Sequence, residues 1–266
     1  MPTRGREGYR RSMSETGIPE SVARFIDAEV AAATTTYDDL RAVVLNGTLK
    51  RSPEPSHTDG LLAVTTRVLE GVGAQVDTIR LVDHVIPPGV QPDMREHGWE
   101  RDDFPDLYRS LVEPADIVVL ATPIWLGDQS SLTRLAIERL YGWSGELNAA
   151  GQWSYYGKVG GVVITGNEDG GKHCAAQMLY ALSHIGFTIP PQADTYWNGE
   201  AGPGPSYLDD NRGAHNHWTT RNAVFAAWNM LHAARMIKDA GGIPTYGNLT
   251  TNWDLSDPDH PNPEYR

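Results

Sequence analysis

Cysteine is nearly absent from the sequence: Cys174 is the only one in 266 residues. A lone thiol closes no intramolecular disulfide, and it supplies neither the cysteine set of an iron–sulfur cluster nor that of a structural zinc site. Its plain reading is a small buried residue on a helix. Long apolar runs are missing as well. None approaches the roughly 20 residues that span a bilayer, and the basic opening MPTRGREGYRRSMSETG has no apolar stretch behind it of the kind a secretory signal needs. The expectation is a soluble, cytoplasmic protein with no membrane partner. Positive charge is in deficit, with 22 Lys and Arg against 34 Asp and Glu and a net charge of −12. That balance argues against nonspecific binding to nucleic acid or anionic lipid. Two phosphate-binding fingerprints are lacking too: no Gly-Lys-Ser/Thr ending of a Walker loop occurs, and Gly47 has no companions at GxGxxG spacing. Nor is a metal site expected, since His215 and His217 have the spacing of adjacent ligands but no cysteine or acidic cluster to complete a zinc set.

What is present is an ordinary globular composition, 40% hydrophobic and 21% charged, arranged as strands alternating with helices. A polar arm (1–39) with one predicted helix, PESVARFIDAEVAAA, precedes the strand RAVVLNG. The helix TDGLLAVTTRVLEGVG, the strand AQVDTIRLV and a Pro-rich crossing with a helical end follow. Next come the apolar strand DIVVLATPIW, the helix SLTRLAIERLYGW and the strand KVGGVVITGN. A helix GKHCAAQMLYALSHIG, a strand near TIPPQADTYW and a long final helix complete the domain (40–242), and a polar tail (243–266) closes the chain. Short, nearly continuous apolar strands separated by helices indicate an α/β domain with a doubly wound, five-stranded parallel sheet and helices on both faces. Arm and tail read as extensions that wrap this domain or a neighbouring subunit.

In such a sheet ligands sit beyond the carboxyl ends of the strands, so three loops carry the chemistry. The first, NGTLKRSPEPSHT, offers the hydroxyls of Thr48, Ser56 and Thr58, the cations of Lys50 and Arg51, and the free N–H groups of a helix start. That set suits a phosphate, although Ser56 or Thr58 could simply cap the helix. The second, TPIWLGDQSS, combines Pro and Gly with exposed-end aromatics. The third, TGNEDGGKH, has glycines that allow close backbone approach, and its acidic pair Glu168 and Asp169 is expected at a solvated tip. His173, just past it, could hand a proton to a bound acceptor or stand exposed in the first helical turn.

On these residues the sequence resembles the flavodoxin-like NAD(P)H-dependent oxidoreductases, the family of FMN reductases and FMN-containing quinone reductases, over roughly residues 40–242. The resemblance implies that Gly47, Thr48, Lys50, Ser56 and Thr58 hold the FMN phosphate. It implies that Pro123, Ile124, Trp125, Leu126 and Gly127 line the flavin ring, and that Thr165, Gly166, Asn167 and Gly170 surround its pyrimidine end. The residues RSPEP lengthen the first loop beyond the commoner form. The implied activity is FMN-dependent transfer of reducing equivalents from NAD(P)H to a small acceptor such as a quinone or nitroaromatic, with no side-chain catalyst required. A flavodoxin-type electron carrier and a flavin-free binding protein of the same fold are the alternatives. Family habit and the aromatics Trp143, Trp153, Tyr155 and Tyr156 point to a homodimer or homotetramer.

Overall fold

The strands form where apolar residues run without interruption. In a computed structural model that describes residues 18–199 and 204–252, β1 (Arg41–Asn46) buries every residue after the first. The other two central strands, β3 (Ile117–Trp125) and β5 (Val159–Thr165), are buried almost throughout. Burial on both faces is what such runs predict. The edge strands β2 (Gln75–Arg80) and β6 (Asp194–Trp197) are only partly covered. The order is β2-β1-β3-β5-β6, all parallel, and the two-residue β4 (Asp128–Gln129) pairs antiparallel with the end of β3.

Alternation along the strands splits the core into two layers. Ala42, Val44, Ile117, Val119 and Val163 face α1 (Glu20–Ala32), α2 (His57–Gly71) and α6 (His217–Asp239). Val43, Leu45, Val118, Leu120 and Ile164 face the other side. There they meet α3 (Phe104–Leu107) with its π-helical continuation Tyr108–Val112, α4 (Ser131–Trp143) and α5 (Gly171–His184). The arm helix lies on its own domain: Val30 packs on Gly71, and Arg67 pairs with Asp27 at 2.8 Å. The start of the tail is held by Gln152, whose Nε2 donates to the carbonyls of Ile243 and Pro244 at 3.2 and 3.1 Å.

The structure refines or corrects four expectations. The strand DIVVLATPIW does run to Trp125, but the connection after it is not an open loop: Leu126 and Gly127 form a two-residue turn into β4. Both turn residues have positive φ, 54° and 80°, the geometry that matches the twist of a tight hairpin. The last strand begins only at Asp194, because Pro190 and Pro191 cannot donate to a ladder. The Pro-rich crossing ends in a helix as expected, Phe104–Leu107, which continues as a π turn over Tyr108–Val112. Finally, Trp143 and Tyr155 are not interface aromatics: they are 2% and 0% exposed within this domain. Trp143 stacks on Tyr108 with ring centroids 4.1 Å apart, and Tyr155 donates to the Leu140 carbonyl at 2.7 Å.

Candidate functional site

β1 and β3 are neighbours whose following connections leave on opposite sides, and the first loop starts in that cleft. The Gly47 N–H donates to the Ala121 carbonyl at 2.8 Å, and the Gly47 carbonyl accepts from Ser130 Oγ at 2.7 Å. A Cβ on residue 47 would sit 1.9 Å from Thr133 Oγ1, so only glycine lets the loop approach α4 this closely. Thr48, Ser56 and Thr58 are all buried. Ser56 occupies the N-cap position of α2 yet makes no side-chain cap; its hydroxyl donates to Thr48 Oγ1 at 3.1 Å. The helix therefore opens with uncapped N–H groups beside converged hydroxyls, a donor set that fits a phosphate. Lys50 is turned partly away, its Nζ donating to the Pro55 carbonyl at 3.1 Å and lying 3.5 Å from Glu54.

The three loops do meet. Thr58 and Thr165 share a hydrogen bond between their hydroxyls at 2.9 Å, tying the first loop to the third. Gly170, with φ 133°, approaches the hairpin so closely that a Cβ there would lie 2.7 Å from the Gly127 carbonyl oxygen. The first and second loops join through Ser130, whose Oγ donates to the Gly47 carbonyl and whose N–H donates to Thr122 Oγ1 at 2.9 Å. Trp125 is 54% exposed and Leu126 97% exposed, so neither belongs to the core. Ile124 differs from them: its side chain is buried in the layer beneath, leaving only its backbone to face a ligand. Asn167, Glu168 and Asp169 are exposed at the loop tip. His173 is also exposed, its Nε2 3.8 Å from Asp128 Oδ1. Cys174 is buried, and burial pushes its thiol up to about 11, a thiol kept protonated.

Several polar residues around the site were not legible as site residues. Asn46 and Arg80 end β1 and β2 opposite one another, and both reach Asp59 on the first turn of α2. Burial pushes the Asp59 carboxyl above its ordinary range, with Arg80 and Asn46 opposing. Asp83 receives the N–H and hydroxyl of Ser52 at 3.1 and 2.6 Å, which fastens the lengthened part of the first loop to the segment after β2. Residues 204–208 lie at the site's side. Gly204 N–H donates to the Asn167 carbonyl at 2.8 Å, and Leu208 N–H donates to His57 Nδ1 at 3.2 Å. Burial lowers the His57 imidazole pKa, with Asp209 acting against the shift. The available signal was a polar residue ending a strand, since Asn46 and Arg80 occupy the carboxyl ends where ligands sit.

Counting only the parallel strands, the order is 2-1-3-4-5, that of flavodoxin-like proteins, with the loops at the switch point between β1 and β3. The family model for NADPH-dependent FMN reductases matches residues 40–201, and the chain belongs to that family. Over 206 residues it is 36% identical to 8-demethyl-8-aminoriboflavin-5'-phosphate synthase of Streptomyces davaonensis, covering 75% of this chain and 79% of that protein. The crystal structure of RosB with bound 8-demethyl-8-formylriboflavin-5'-phosphate superposes with a TM-score of 0.72 at 32% identity, covering 85% of this chain and 95% of that one. A protein of Mycobacterium bovis named divalent metal cation transporter MntH is 55% identical over 217 residues, 81% of this chain. This chain spans only 32% of that relative's length. Among the described residues no helix is long and apolar enough to cross a membrane, and no group of three or more His, Cys, Asp or Glu could hold a metal.

Proposed function

We propose that the chain binds FMN and passes reducing equivalents from NAD(P)H to a small acceptor such as a quinone or nitroaromatic, acting in the cytoplasm. The observation that carries this reading is the non-capping Ser56 at an uncapped helix start, in a chain of the FMN reductase family. Thr48, Ser56 and Thr58 take the phosphate, and Lys50 adds positive charge nearby. The strand end and hairpin Pro123, Ile124, Trp125, Leu126 and Gly127 flank the ring and shed water from it. Thr165, Gly166, Asn167 and Gly170 border the pyrimidine end; the Gly166 N–H is held by the Trp197 carbonyl and the Gly170 N–H by Asp169, so these glycines contribute close backbone approach. Bound FMN supplies the hydride-accepting and electron-donating chemistry, and the protein supplies orientation and exclusion of water. A homo-oligomer in which a second subunit covers Trp125 and Leu126 completes the reading.

A second reading, flavin as substrate instead of cofactor, is favoured by the relative named for making a modified riboflavin phosphate. One experiment separates the possibilities. The purified protein, loaded with FMN, is mixed anaerobically with NADPH or NADH and then with a quinone. Bleaching followed by recovery of the flavin absorbance supports the reductase. Aerobic incubation followed by mass spectrometry of the extracted flavin supports the second reading if the flavin mass has changed. Flavin that stays oxidised with nicotinamide, unchanged in mass, indicates a carrier, and failure to take up FMN defeats every flavin reading.

A further inference from the structure

Arg80 stands at the carboxyl end of β2, directly across from Asn46 at the end of β1. Its side chain is only 14% exposed, and its guanidinium works in two directions. One arm donates to the carbonyls of Lys50 and Arg51, at 3.3 and 3.0 Å. The other donates to one oxygen of Asp59. The second oxygen of Asp59 accepts from Asn46 Nδ2 at 2.6 Å, and Asn46 Oδ1 in turn accepts from the Thr48 N–H at 2.9 Å. Thr48 Oγ1 then accepts from Ser56 Oγ. Through Asp59, Asn46 and Thr48, hydrogen bonds therefore link the Arg80 guanidinium to two of the three hydroxyls of the phosphate seat, those of Thr48 and Ser56.

We propose that Arg80 is the positioning residue that makes this loop selective for a phosphomonoester, by holding the loop carbonyls turned away from the seat and by neutralising Asp59. The proposal rests on the flavin-phosphate reading above. Both parts follow from placement. Carbonyl oxygens of Lys50 and Arg51 that face the guanidinium do not face a phosphate, whose oxygens they would repel. Asp59 is in the first turn of α2, beside the N–H groups that would meet the anion. With Arg80 in place its charge is balanced. Without Arg80 an unpaired carboxylate lies next to a doubly negative ligand, and like charges at short range in a partly buried site repel strongly. Arg80 makes no contact with the hydroxyls itself, so its influence travels through Asp59, Asn46 and the loop backbone.

The test compares apo-protein affinities for FMN and for riboflavin, which lacks the phosphate, by fluorescence titration. The wild-type protein should prefer FMN. Arg80→Met should weaken FMN binding by about tenfold or more, the range expected when hydrogen bonds to a charged group are disturbed, and leave riboflavin affinity unchanged. Adding Asp59→Asn to that variant should recover much of the FMN affinity, because the unbalanced charge is gone. Should Arg80→Met not fold, Arg80→Gln, which removes the charge but keeps a hydrogen-bonding end, serves with the same criterion. Equal losses for the two flavins, or no loss for either, would show Arg80 to be merely structural and overturn the proposal. A wild-type protein that binds both flavins equally would overturn the phosphate seat as well, and the two failures are told apart by the wild-type measurement alone.

Discussion

At the scale of single residues, the hydroxyl seat and the hairpin tip make separable predictions. Ser56→Ala with Thr58→Ala should raise the Kd for FMN by about 10- to 100-fold per lost bond, at about 1.5–3 kcal/mol for each hydrogen bond to a charged group. Titration of the apo double variant checks this, and an unchanged Kd would remove the phosphate from this loop. Gly127 has open space around its missing Cβ but a φ of 80°, so a side chain there strains the backbone instead of colliding with neighbours. Gly127→Val should therefore loosen flavin retention more than it lowers the apo-protein Tm, while Gly127→Asn, which tolerates this conformation, should spare both. Lys158 lies far from the site, lining a cleft of about 420 Å³ with Asp116 and Lys238 at the amino ends of the central strands. Its Nζ donates to the carbonyls of Glu113 and Ala115, and burial lowers its pKa from 10.5 to about 8. Between those values the unfolded chain holds a proton that the folded one has released, so stability from this group rises with pH across that window and is lower below it. Denaturation of wild type and Lys158→Met from pH 7.5 to about 10.5 should show the difference moving in the wild type's favour.

Among the elements, the link between the Pro-rich crossing and α4 is the most exposed to a single change. Arg139 and Asp102 are both fully buried and paired at 2.5 Å. Arg139 also donates to the Pro92 carbonyl at 2.9 Å, while Asp102 accepts from the N–H groups of Met94 and Phe104. Arg139→Met should cost about 3–5 kcal/mol, the usual result of leaving a buried charge without its partner. Urea unfolding measures it, and Asp102→Asn in the same chain should return part of the loss. How far the elements could be read from sequence follows from their burial. β1, β3 and β5 were legible because residues covered on both faces must all be apolar. The hairpin was not, since Pro123 and Gly127 punctuate a sequence as loop residues whether they end a strand or tip one. Asn46, Asp59 and Arg80 were invisible as a group, because only the pairing of β1 with β2 brings them together. The hydroxyls of the first loop could be read because they are close in sequence and precede a helix.

For the whole molecule, assembly turns on the hairpin. The buried positions of Trp143 and Tyr155 remove two of the aromatics that had suggested an interface, but Trp125 and the 97% exposed Leu126 leave an apolar tip at the mouth of the site. We expect light scattering to give a mass above the 29.2 kDa of one chain at micromolar concentration, and Leu126→Glu to lower it. A monomer that turns over NAD(P)H would defeat the shared site while sparing the flavin. The hydroxyl pair Thr58 and Thr165 joins positions 107 residues apart, and this bears on how the protein is made. As the chain leaves the ribosome, Thr58 of the first loop emerges 107 residues before its partner Thr165 at the end of β5. Nascent chains without that strand lack part of the pocket, so ligand can reward only a nearly finished domain. Cellular flavin would then act as an inspector of completed synthesis, protecting whole copies from proteolysis and leaving truncated ones to be cleared.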